Sequence, residues 1–354
     1  MKRAFTIILL ACIAAAIAFA CVHHHQLEKQ RQAFDAPSPA LSGSSPDHSA
    51  APAGVSVPGL IQQLPAGASA VVFVDVAALR TSSLASQLAA LAPTSAQDPA
   101  YAEFIRATGF DYSRDLDRAA IALWPQTSST SVFALAQGRF DQAKIERYAL
   151  RVGRLVKTPN HNIYEVREEN SPRLIHFTFL APGEIALADG PALSPILGAQ
   201  NLHRLDSEMS ARVARVSGAS IYAVARTQNL PKDLGIDASH SAQLARLLRS
   251  VHAITAAARP SADNLKVSAF AECDSTLDAF QLSTALQGLL WMGRAALADS
   301  KTQQQIGPQW PALDALLKAA DISHDGHLVQ LRIQITPQML QAAVAAPANG
   351  PTRK

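Results

Sequence analysis

Cysteine is scarce. Cys12, Cys21 and Cys273 are the only three in 354 residues. Two of them fall in the leading apolar segment, so the folded part holds one and cannot close an internal disulfide. Its core must hold the fold together unaided. Cys273 reads as a small buried residue at a strand end, because no base for thiol chemistry stands near it in the sequence. Charge is scarce as well. Asp, Glu, Lys and Arg make up 17% of the chain, where an average domain has about 25%. The 31 cationic and 28 anionic side chains leave a formal charge of +3, and Lys2 and Arg3 account for two of those positives. The remaining balance gives no reason to expect a nucleic-acid partner. Catalytic motifs are missing too: there is no phosphate loop, Gly-x-Gly-x-x-Gly, His-Glu-x-x-His, Gly-x-Ser-x-Gly or Cys-x-x-Cys. No cofactor is expected. What the chain does have is hydrophobic residues, 48% of the total. They suffice for a core and exclude wholesale disorder. The length suits two structural units.

The apolar residues begin at once. Lys2 and Arg3 form a charged start, and Ala4 to Val22 is a run of 19 residues without charge. A helix of that length spans about 28 Å, close to the hydrocarbon thickness of a bilayer. Residues 1–22 therefore read as a signal peptide or signal anchor. Ala18-Phe19-Ala20 is a small-x-small cleavage pattern, and Cys21 follows it. Three fates compete: lipidation of Cys21 after cleavage, cleavage with release, and retention as an anchor. Phe19 and Ala18 depart from the usual lipobox residues. A second match, Leu9-Leu10-Ala11-Cys12, leaves too short an apolar region before it. All three fates place the rest of the chain outside the cytoplasm, since Lys2 and Arg3 hold the start inside.

Residues 23–59 read as a disordered Pro/Ser/Ala-rich linker. Pro, Gly, Ser and Ala supply 19 of the 25 residues from Asp35 to Gly59, a composition that buries too little surface to offset its ordering entropy. A flexible spacer of this length reaches about 35 Å root-mean-square. His23-His24-His25 lies in it and reads as incidental. The tail 347–354 reads as frayed.

The folded part reads as α+β, built from two similar sheet-plus-helix halves, residues 60–200 and 201–346, with antiparallel hairpins and helices packed on one face. Gly67-Ala68-Ser69 opens a strand at Ala70, and Gly218-Ala219-Ser220 opens another at Ile221, 151 residues later. A second correspondence has an offset of 133: strands at Ile121–Leu123 and Val132–Ala136, then at Ile254–Ala256 and Leu265–Ala269. Asp141 and Asp274 each follow a strand and are placed to cap a helix. The first of these helices, 141–152, stops at Gly153, a residue suited to a left-handed helix end. Further helices are expected over Thr81–Leu91, from Asp98-Pro99 to Gly109, from Pro191, and from Thr336-Pro337. Each half then carries hairpin strands: Asn162–Val166, Leu174–Leu180 and Glu184–Ala188 in the first, and Asp321–His324 with His327–Ile335 around Asp325-Gly326 in the second. The pattern is that of an internal duplication with low identity between copies.

The helix over 275–299 stands out. Ser275, Asp278, Gln281, Thr284 and Gln287 form a polar stripe, after which Leu289, Leu290, Trp291 and Met292 follow one another. Four consecutive apolar residues sweep about 300° of a helix surface, more than one sheet can bury. Either the helix is sandwiched between the two halves or these residues meet a partner or a second copy, with Trp291 as anchor.

Two weak metal-like constellations remain. Asp111, Asp115 and Asp117 could hold a hard cation, but lack EF-hand spacing, and Arg114 and Arg118 offer them ion pairs. His324 and His327 would face each other across the hairpin end, two ligands where a metal needs more.

Leu64-Pro65-Ala66-Gly67-Ala68-Ser69-Ala70-Val71-Val72-Phe73-Val74-Asp75 resembles a stretch of predicted exported proteins of acidobacteria. So do Asp98-Pro99-Ala100-Tyr101-Ala102-Glu103-Phe104, Thr108-Gly109-Phe110-Asp111-Tyr112 and Gly138-Arg139-Phe140-Asp141. A looser likeness is to bacterial exported proteins with a domain of unknown function and strand–helix repeats. The resemblance covers most of residues 60–340, implies export, and carries no active site with it. The functional expectation is a membrane-tethered, exported, non-enzymatic envelope protein acting as a binding or structural module. It would touch the membrane through its N-terminal segment and a protein partner or itself through the folded part. The alternatives are a hydrolase or metal-dependent enzyme with a non-contiguous site, and a lipid or small-ligand carrier.

Overall fold

A computed structural model describes residues 59–85, 99–125, 130–167, 174–189, 193, 197, 205–227, 247–261, 263–306 and 310–339. The leading segment, Cys21, the histidine run, the linker up to residue 58, the tail, and all of the helix expected at Pro191 except Leu193 and Leu197 lie outside the described residues.

The strands are β1 (Ala70–Asp75), β2 (Leu116–Pro125), β3 (Thr130–Gly138), β4 (Gly153–Lys157), β5 (Asn162–Arg167), β6 (Leu174–Ala181), β7 (Glu184–Asp189), β8 (Ile221–Arg226), β9 (Val251–Pro260), β10 (Leu265–Cys273), β11 (Asp321–Asp325) and β12 (Leu328–Ile335). The helices are α1 (Gly59–Gln62), α2 (Val76–Arg80), α3 (Pro99–Thr108), α4 (Tyr112–Asp115), α5 (Gln142–Val152), α6 (Ser207–Val216), α7 (Thr276–Ala298), α8 (Ser300–Ile306) and α9 (Trp310–Ala319). The fold is α+β. Among the described residues, twelve strands join one sheet in the order β11-β12-β10-β9-β8-β1-β2-β3-β7-β6-β5-β4, with every pairing antiparallel.

The two halves meet where β1 pairs with β8. Ala70 faces Ala225, Val72 faces Ala223 and Val74 faces Ile221. Val72 and Ala223 are 151 positions apart, the offset of the two Gly-Ala-Ser openings, so this pair marks a local two-fold centre. Outward from it the sheet repeats itself: Val72 faces Ile121, which faces Ala134, while Ala223 faces Ala256, which faces Ala269. The paired register sets the second offset at 135 rather than 133. A shift of two is one full period of a strand, so each side chain keeps its face. Beyond this, β7 returns to pair with β3 and β12 returns to pair with β10. The first half adds the strands β4 and β5, while the second adds α8 and α9.

One face of the sheet carries most helices. Val72, Val74, Ile121 and Ala134 bury against Tyr101 and Phe104 of α3, and Ile145 and Ala149 of α5 cover Tyr164, Phe177 and Ile185. On the same face, Ala279 and Leu282 of α7 cover Cys273 and Val329. A smaller layer on the opposite face spans the centre. Leu60 and Ile61 of α1 and Met209, Val213 and Val216 of α6 pack on Val71, Phe73, Tyr222 and Val224, and Phe73 stacks on Tyr222 across the seam at 5.0 Å.

Local chemistry explains several boundaries. Asp75 ends β1 and caps α2 by accepting from the Ala78 N–H at 2.8 Å. This short helix ends at its C-cap Thr81, before the helix expected over Thr81–Leu91; residues 81–84 form turns, Ala85 is helical, and residues 86–91 lie outside the described set. Gly109, at φ +76, ends α3. Gly153 does not take a left-handed cap. Its φ is −151 and it opens β4 directly. Glycine is needed there for close approach, since a Cβ would lie 2.1 Å from the Glu165 carbonyl oxygen. The cap of α7 is Ser275 rather than Asp274. Neither α6 nor the α8–α9 pair was expected.

Candidate functional site

Helix α7 is long and well started. Ser275 Oγ accepts from the Asp278 N–H at 3.1 Å. The inner side of the helix, Ala279, Leu282, Ser283 and Leu297, is buried. Ser283 Oγ stands 3.1 Å from Nδ1 of His324, and Gln287 donates to the Ile322 carbonyl at 2.8 Å, tying the helix to β11. Arg294 turns inward and donates to the carbonyls of Leu317 and Ala320, both at 2.9 Å, which ties it to the end of α9. At Gly293 a Cβ would meet Leu317 Cδ1 at 3.1 Å, so the two helices touch closely there.

The outer side carries bare apolar side chains beside the exposed Gln281, Thr284 and Gln287. Trp291 is 70% exposed, Leu277 63% and Phe280 52%, and Leu289 and Met292 are also exposed. The only charges in α7 are Asp278 and Arg294, and Arg294 is occupied. A monomer surface usually keeps contiguous apolar patches to a few hundred Å². Of the expected contact residues, Leu289, Trp291 and Met292 face outward, whereas Leu290 packs half-buried against the cluster around Leu265 and Ile333. Leu277 and Phe280 belong to the face and were not expected. The helix is not sandwiched between the halves, because it lies over β10, β11 and β12 at one end of the sheet. Among the described residues, no helix is long and apolar enough to cross a membrane.

The expected metal-like groups sit differently. Asp111 caps α4 through the Ser113 N–H at 2.9 Å. Asp115 accepts from Arg114 at 2.6 Å and from the Asp111 N–H at 3.0 Å, and the Arg114 hydrogen bond holds its carboxyl below the usual range. Asp117 pairs with Arg80 at 2.6 Å, and Arg80 also donates to the carbonyls of Ser113, Arg114 and Leu116. Each carboxylate thus has its own partner. His324 and His327 are not opposite each other. Asp325 pairs with Leu328 and His324 with Val329, so the two loop residues are Gly326 and His327. Gly326 takes φ +55, which shifts the turn by one residue. Among the described residues, no group of three or more His, Cys, Asp or Glu side chains is placed to hold a metal.

Two acidic clusters went unseen in the sequence. On β10, Glu272 accepts from Arg212 at 2.9 Å and Arg215 at 2.8 Å, with His252 Nε2 at 3.2 Å. Burial works against its charge, but the hydrogen bonds from the two arginines prevail and hold the carboxyl below its usual range. On β5, Glu165 takes both arms of Arg154 at 2.9 Å and stands 3.2 Å from His176 Nε2, and the Arg154 hydrogen bond keeps it low. Burial pushes the Cys273 thiol up to about 11, so it stays protonated at neutral pH. An open cleft of about 420 Å³ is lined by Ala78, Thr81, Ser82, Ser83, Ser220, Pro260 and Ser261, none of them ionisable among the described residues.

These features define an α+β protein with one antiparallel sheet and a bare apolar helix face. No family model matches the chain, and no curated protein matches it. Solved structures of the Treponema protein TP0453 are similar to it. Crystal form III aligns at a TM-score of 0.45 with 12% identity, covering 82% of this chain and 98% of that one. Crystal form IV gives 0.45 and 13% over the same shares. Crystal form I gives 0.43 and 13%, over 82% and 96%.

Proposed function

We propose that this protein is an exported, membrane-tethered binding module of the cell envelope, without catalytic activity, whose docking surface is the outer face of α7. The observation that carries the reading is the charge-free stripe holding Leu277, Phe280, Trp291 and Met292 in water. Burying that stripe is worth about 25 cal/mol per Å² of apolar area, and none of the described residues covers it. The leading apolar run and the spacer support the tethered placement: residues 1–22 hold the chain at a membrane and residues 23–59 let the folded part reach away from it. The resemblance to exported proteins points the same way.

Cell fractionation tests the placement. The native protein is expected in the membrane fraction, and protease added to spheroplasts should digest it. Mass spectrometry of the mature N-terminus then separates a lipidated Cys21 from a retained Met1. Recovery from the cytosol, with Met1 intact and no lipid, would end this reading.

A further inference from the structure

The geometry points to a second copy of this chain as the occupant of the α7 face, bound as an antiparallel helix pair. This rests on the docking surface proposed above and names its partner.

The exposed residues follow a seam. Leu277, Gln281, Thr284, Gly288, Trp291 and Ala295 are all exposed, at steps of four, three, four, three and four. That alternation is the spacing at which one helix meets another along its length. The helix has 23 residues, so the seam belongs to a rod about 34 Å long.

The seam is complementary to itself when reversed. Take a two-fold axis at the level of residue 286. Leu277 then meets the partner's Ala295, Trp291 meets the partner's Gln281, and Thr284 meets the partner's Gly288. Each layer sets a larger side chain against a smaller one. A self-complementary patch of this kind is what an isologous dimer requires. Gly288 sits at the middle with nothing within 4 Å of where its Cβ would be. On a lipid-facing ridge a glycine contributes little, whereas between helices it lets the backbones approach.

Charge does not oppose the pairing. Asp278 and Arg294 are the only charges in α7, and Arg294 is held by the Leu317 and Ala320 carbonyls. Thr284 Oγ1 already donates to the Phe280 carbonyl at 2.9 Å, so Gln281 is the polar member that burial in hydrocarbon would penalise. Leu277 and Trp291 lie on the seam and Phe280 and Met292 flank it, whereas Leu289 points well away from it, so a pair buries less than about 1,000 Å², below the size of a standard specific interface. Such a contact is weak in dilute solution. Copies tethered to one membrane share a small volume, which raises their effective concentration.

The test uses the full chain reconstituted in phosphatidylcholine–phosphatidylglycerol vesicles. Copies carrying Thr284→Cys are mixed with copies carrying Gly288→Cys and mildly oxidised, and disulfide-linked peptides are identified by mass spectrometry. The expected product is a cross-link between residues 284 and 288 that outpaces 284–284 and 288–288. Separately, Thr284→Glu should weaken the dimer by about a hundredfold, the effect of an unpaired charge in a desolvated seam, with an unchanged thermal melt. Preferred 284–284 and 288–288 links would overturn the antiparallel arrangement. Quenching of Trp291 emission by brominated lipid, judged against Trp291→Phe, would make the bilayer the occupant and overturn the dimer while leaving the docking face standing. No cross-link, together with free quenching of Trp291 by acrylamide in water, would sink both the dimer and the docking face.

Discussion

Glu272 gathers Arg212, Arg215 and His252 around one buried carboxylate. Arg212 lies over it with a side chain only 8% exposed, so each charge is tolerable because the other is present. Glu272→Gln should cost about 3 kcal/mol in urea unfolding, because it leaves buried arginine charge unpaired. Replacing both Glu272 and Arg212 by Leu should cost less than the single change. The acid side of the stability curve follows from the same group. Glu272, Glu165 and Asp115 all titrate below their usual values in the folded state. Below the ordinary carboxylate range of about 4, the unfolded chain therefore binds protons that the folded one refuses. Stability from these groups should be full at neutral pH and lost as pH falls through the folded values. Urea midpoints measured from pH 7 down to pH 3 should show it, with a shallower fall in Glu272→Gln. The Arg114–Asp115 pair was legible in the sequence, but the Glu272 cluster was not, because Arg212 and Glu272 are 60 positions apart and only the packing of α6 on the sheet joins them.

At the scale of elements, α7 was the most legible. Its length and its crowded apolar residues were read to within a residue or two, since helix periodicity is local, while its cap fell on Ser275 instead of the expected Asp274. Which apolar residues point outward was not legible. Leu290 turned in and Leu277 and Phe280 turned out, because the sheet chooses the buried side. Trp291→Ser should change folding stability by less than about 0.5 kcal/mol, as an exposed substitution does. Leu282→Ala, on the buried side, should cost about 2–5 kcal/mol. Chemical denaturation of the two variants side by side checks the assignment. The β11–β12 turn shows a one-residue limit of the same kind. Asp-Gly marked the hairpin, yet the ladder closed at Asp325 and Leu328 and so separated the two histidines.

At the scale of the molecule, the two halves share one sheet and one central layer. Met209, Val213 and Val216 of the second half share one core cluster with Leu60, Val71, Phe73 and Leu135 of the first. Unfolding of one half should therefore expose the core of the other. Trp124 reports on the first half, and Trp291 and Trp310 on the second. Variants that keep only one reporter group should give urea midpoints that coincide with each other and with far-ultraviolet circular dichroism. Two separated transitions would show the halves to be independent.

The sequence by itself determined the class of the fold, most strand positions, the helices α3, α5 and α7, and the repeat of one pattern after about 150 residues. These depend on side-chain periodicity and on caps and turns that act over a few neighbours. Only the tertiary structure decided that the repeats join through β1 and β8, that Arg212 meets Glu272, and which side of α7 stays in water. Those outcomes depend on register and packing between residues far apart in the chain, where no local preference reaches.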